Sequence, residues 1–113
     1  RNTDTNFLYV IVWNLEKIAD DYKYACEQIT KGVRVTSNTQ ELIRKSADLL
    51  RAYYKIFYSF NVEELSNLSE EYKKTLSMIE QAIDSKNAKI LTHIHHAVLK
   101  MADFSASIYA LNS

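Results

Sequence analysis

All three histidines of this 113-residue chain fall in one stretch, His93-Ile94-His95-His96. On a helix, His93 and His96 are neighbours one turn apart, and Asp103 stands two turns beyond His96. Imidazole and carboxylate donors at such spacings suit a borderline metal ion; without one they are polar surface residues. A second constellation is Glu16 and Asp20, four positions apart. Two carboxylates so spaced stack on one helix face and repel slightly unless a cation or a basic group lies between them. Otherwise they belong to a solvated acidic face, satisfied by pairs such as Lys17 with Asp21 and Lys23 with Glu27. No nucleophile and base stand at a telling spacing, and no glycine-rich loop is present to cradle a nucleotide. The chain therefore reads as a protein that is not an enzyme.

Positioning these residues falls to helices. The chain has one glycine, Gly32, and no proline. A sheet protein of this size needs several turn glycines and prolines, so long helices with few breaks are expected. Leu8, Ile11, Leu15, Ile18, Tyr22, Ala25 and Ile29 alternate steps of three and four. That heptad seam predicts a first helix over about 4–31, roughly 40 Å long, with partners crossing at about 20°. Gly32 follows as its C-cap. Leu42, Ser46, Leu49, Tyr53, Ile56 and Phe60 predict a second helix over 38–60. Asn61 with Glu64 makes a capping-box pattern that opens a third helix over 62–84, with the seam Leu65, Leu68, Tyr72, Leu76, Ile79 and Ile83. Ser85 or Asn87 can cap a fourth helix over 87–111, with the seam Leu91, Ile94, Val98, Met101, Ser105 and Ile108. Short connections make successive helices antiparallel neighbours. The expected fold is all-α, an antiparallel up-down bundle of four long helices in one domain spanning 1–113.

With Leu8 at heptad position a, Glu16 falls at b and Asp20 at f, both directed away from the seam. Cys26, one step past the seam, reads as a small packed hydrophobe. The first helix is apolar all round at its start, with Tyr9, Val10 and Trp13 opposite the seam. A helix of that kind is buried on both sides, so this face is expected to meet the fourth helix, another subunit or a further part of a longer protein. The chain begins at Arg1 directly in helical pattern and reads as a piece of such a protein.

The fourth helix echoes the first at an offset of 83: Leu8, Ile11, Leu15 and Ile18 match Leu91, Ile94, Val98 and Met101, and Lys17-Ile18-Ala19-Asp20 matches Lys100-Met101-Ala102-Asp103. The echo predicts an internal repeat.

The string Leu15-Glu16-Lys17-Ile18-Ala19-Asp20-Asp21 resembles the Leu-Glu-Arg-Ile-Ala-Asp-His signature of PhoU-domain proteins, and the chain is similar to archaeal-type members of that family. Tyr53-Tyr54-Lys55-Ile56-Phe57 resembles the end of that family's next helix, and Asn61-Val62-Glu63-Glu64-Leu65 its turn into another. The resemblance covers nearly the whole chain. It implies a fold of three-helix repeats, with the first helix ending one repeat and the other three forming the next. It also implies a regulator that modulates phosphate uptake or phosphate-responsive signalling by contacting a phosphate transporter or signalling components. In that family the Glu/Asp-x-x-x-Asp positions bind divalent or trivalent metal ions; here they are Glu16 and Asp20, with Asp103 surviving in the second copy. Hard cations want about six oxygens, so a second helix or solvent would complete that shell. The chain departs from the signature at Leu99, which stands where Glu16 stands in the first copy. Asp21 and Phe104 replace the family's histidine.

Two alternatives accompany this expectation. One is a generic helical interaction or dimerisation module. The other is a histidine phosphotransfer domain, whose pattern is His-x-Leu-Lys-Gly. Here His96-Ala97-Val98-Leu99-Lys100 is one residue longer, and Met101 replaces the glycine, where bulk would crowd a docking receiver. Net charge is zero, with 14 basic and 14 acidic residues, which argues against a nucleic-acid surface. The longest apolar run, Phe7 to Trp13, falls far short of the roughly 20 residues that span a bilayer, so no membrane insertion is expected. A single cysteine leaves no internal disulfide and fits a cytoplasmic setting. A homo-oligomer is expected from the apolar first helix.

Overall fold

The computed structural model describes residues 2–112, with side chains from 5 to 110. Four helices follow one another: α1 (Asn2–Thr30), α2 (Ser37–Lys55), α3 (Val62–Ala82) and α4 (Ala88–Asn112). Among the described residues there is no strand. The helices run up, down, up and down, as the short connections predict.

Each turn is fixed by its own chemistry. Gly32 takes φ +95° after α1. Its N–H donates to the Ile29 carbonyl and the Val33 N–H to the Gln28 carbonyl, each at 3.0 Å. This is a Schellman ending, which needs a residue at ease in the left-handed region. Thr36 caps α2, its hydroxyl accepting from the Thr39 amide at 3.3 Å. Asn61 caps α3, its side chain accepting from the Glu64 amide at 3.0 Å. Before α4, the Asp84 carboxylate accepts from the Lys86 and Asn87 amides, and the Asn87 side chain accepts from the Asp84 amide.

The helices are not equal partners. The backbone of α4 packs against all three others, whereas that of α1 packs against α4 alone. Accordingly every seam residue of α4 is buried, with Ile90 and Ala97 beside them. The α1–α2 pair is antiparallel, as expected, but its backbones stand apart, and long side chains span the gap. The Tyr22 hydroxyl donates to Ser46 Oγ at 3.0 Å, and Ser46 in turn donates to the Ile43 carbonyl at 2.7 Å. The Tyr53 hydroxyl donates to Asn14 Oδ1. A third tyrosine, Tyr72, pairs with Ser105 between α3 and α4 at 2.9 Å. The two serines in otherwise apolar seams are there because each meets a tyrosine hydroxyl that burial would leave unsatisfied.

Three expectations need correction. The second helix ends at Lys55, not near Phe60. The chain tightens through Phe57-to-Tyr54 and Tyr58-to-Lys55 hydrogen bonds, and Phe60 is exposed. Leu8, Ile29 and Ile83, all expected in seams, are exposed, Leu8 by 61 %. At about 1.5 Å per residue, the long α1 outruns the shorter α2, so its first turns have no α2 beside them. Cys26 is exposed rather than packed. The buried stripe of α1 leans from a and d toward g (Asn14 and Asp21 buried), leaving the e positions Val12, Ala19 and Cys26 in solvent. The stripe of α4 leans the same way, with Ile90 and Ala97 at g. The two echoing helices thus bury the same face.

Candidate functional site

The buried carboxylate of this bundle is Asp21, only 5 % exposed. A lone carboxylate there would be strongly disfavoured, and two groups on α4 answer it. Lys100 Nζ donates to Asp21 Oδ2 at 2.5 Å. His93 Nδ1 lies 3.8 Å from Asp21 Oδ1, too far for a hydrogen bond. That nitrogen is itself buried and has no hydrogen-bond partner. The Tyr24 ring covers the imidazole, with ring centroids 5.3 Å apart, and His96 follows one turn later at 6.3 Å from His93.

Asp21, His93 and His96 form the one group of three or more His, Cys, Asp or Glu residues among those described whose donor atoms all lie within 4.8 Å of one another. The carboxylate comes from α1 and both imidazoles from α4, so the antiparallel α1–α4 packing builds the group. His95, adjacent in sequence, points elsewhere: its Nε2 meets Glu80 Oε2 on α3 at 2.8 Å. A helix turns about 100° per residue, so consecutive histidines serve different neighbours.

Glu16 and Asp103 are exposed and Asp20 is half-buried. Among the described residues these three do not form a common donor group. Lys17 does not pair with Asp21; its ammonium sits 5.4 Å from the centre of the Trp13 ring. Asp21 faces α4 from a g position, and its partner is Lys100, which is Lys17's counterpart in the echo. Asp21 lies one step past the echoed Lys17–Asp20 segment, so the pair joins a residue beside the first copy to the lysine of the second.

Sequence reasoning passed over Asp21 as a mere departure from the signature. A signal was available. Asn14 and Asp21 are seven apart at g, and their echoes, Ala97 and Phe104, are apolar, which marks g as an inward position.

The other candidate surface is the start of α1. Tyr9, Val10 and Trp13 are 73, 47 and 61 % exposed, with Val12 and Leu8 beside them. Further along, Leu15, Ile18 and Ala19 of α1 face Leu50, Arg51 and Tyr54 of α2 across a shallow groove. The apolar strip of α1 runs on into that gap.

No family model, curated protein or solved structure matches this chain. Among the described residues, no helix is long and apolar enough to cross a membrane.

Proposed function

We propose that this chain is a PhoU-like regulatory domain, not an enzyme, that acts in the cytoplasm on phosphate uptake or phosphate-responsive signalling through protein–protein contacts. The observation that carries the reading is the exposed apolar face of Tyr9, Val10 and Trp13. It lies on the same helix as the Leu15–Asp20 string, directly ahead of it. Exposed aromatics in a contiguous patch mark contact surfaces. The stretch from Phe7 to Trp13 holds no charge, so two copies of it meet without like-charge repulsion, and a second copy of this chain is the first partner. The common inward lean of α1 and α4 supports the internal repeat on which the resemblance rests.

The test is made in the producing cell. Deleting the coding segment is expected to change phosphate uptake in phosphate-rich medium, and Trp13→Glu is expected to reproduce that change. Uptake unaffected by deletion discards the phosphate part of the reading. An effect of deletion that Trp13→Glu does not share discards the role of this face.

The generic interaction module is the second reading. It is favoured by the lack of a common donor group of Glu16, Asp20 and Asp103 among the described residues. The phosphotransfer reading has the exposure of His96 in its favour, but Met101 stands in the place of the glycine.

A further inference from the structure

We infer that Asp21, His93 and His96 bind one borderline divalent cation of the zinc kind, which ties α1 to α4. The site is distinct from the Glu16/Asp20 face, and the inference does not depend on a role in phosphate regulation. Three independent features of the geometry lead to it. The donor set is two imidazoles and one carboxylate, the mixture that zinc accepts and that magnesium or calcium does not seek. Two of the donors, His93 Nδ1 and Asp21 Oδ1, are 3.8 Å apart. Two ligands of a tetrahedral zinc ion stand about 3.4 Å apart, so a few tenths of an ångström close that pair. His93 Nδ1 is buried without a hydrogen-bond partner, as a nitrogen whose acceptor is an ion would be.

The remaining parts fit the same assignment. Asp21 uses Oδ2 for Lys100 and leaves Oδ1 toward the imidazole. A carboxylate ligand held by its second oxygen is oriented in the way metal sites commonly show. Tyr24 against His93 fixes the plane of that ring. His96 is exposed, with its donor within 4.8 Å of the others, so rotation of its side chain brings it to bonding distance without moving backbone. Three protein ligands leave a fourth position on the solvent side, open to water or to a donor from a partner. Lys100 limits affinity, because its positive charge stands on the far side of the same carboxylate. The site is therefore a reversible one.

The experiment is calorimetric titration of the full chain with zinc chloride at neutral pH, with magnesium chloride as control. The expected result is one zinc per chain and no magnesium. His96→Ala, at an exposed position that leaves the fold alone, is expected to weaken zinc at least tenfold, as are His93→Ala and the charge-neutral pair Asp21→Asn/Lys100→Met. Lys100→Met alone is expected to tighten it, and Glu16→Ala/Asp20→Ala to leave it unchanged. Nitrogen-15 shifts of the imidazoles are expected to place the ion on His93 Nδ1. No zinc uptake at millimolar concentration overturns the inference. So does zinc binding that survives His93→Ala and His96→Ala together, or that follows Glu16 and Asp20.

Discussion

Asp21 shows how one residue's neighbours decide what it does. Four carboxylates or lysines on α1 are solvated; this one is enclosed, because position g of α1 faces α4. Its ion pair with Lys100 ties α1 to α4. Asp21 is buried while Lys100 is partly exposed; removing the lysine or the carboxylate alone leaves the other without its hydrogen-bonded partner, whereas removing both does not. Asp21→Asn is expected to lower stability by about 2 kcal/mol in urea unfolding, and Asp21→Asn/Lys100→Met to recover at least half of that loss. Equal losses in the single and double variants would show that the pair is incidental to the fold. The individual roles of Asp21, His93 and Lys100 were the least legible part of the sequence. They depend on a contact between residues 79 positions apart, and a seam specifies which face is inward but not which residues meet across it. Spacing along one helix did single out His93 and His96, since both lie on α4.

At the scale of the elements, the heptads located all four helices. Gly32 and Asn61 marked two boundaries, because each supplies a local hydrogen bond or backbone angle that no distant residue alters. The end of α2 was hidden, because Ile56, Phe57 and Phe60 continue the apolar spacing while the backbone has already tightened into a turn. The tyrosines explain the separation of α1 from α2. Tyr22, Tyr53 and Tyr72 each bury a phenol, and burial raises the pKa of all three above the ordinary value. Below about pH 10 these phenols are neutral in both folded and unfolded chains, so their contribution is complete. Above it the unfolded chain releases protons that the folded one retains, so stability falls as pH rises. Absorbance at about 295 nm is expected to show the buried phenols ionising only together with the loss of helical circular dichroism above about pH 10. Full ionisation of all eight tyrosines with the helices intact would contradict this placement.

For the molecule as a whole, the arrangement is asymmetric: α4 is surrounded, while α1 is held along one side and runs past the end of α2. The apolar all-round start of α1 was legible in the sequence as a face needing a partner. Only the structure shows why none of the described helices supplies one, since α2 stops short and α4 takes the opposite side. In the proposed dimer a second copy of the chain completes α1. Multi-angle light scattering on the purified chain, at concentrations from micromolar upward, tests this directly. The native protein is expected at twice the chain mass, and Trp13→Glu at a single chain mass with unchanged circular dichroism. A native protein of single chain mass throughout, or a Trp13→Glu variant that remains doubled, would contradict the proposed dimer.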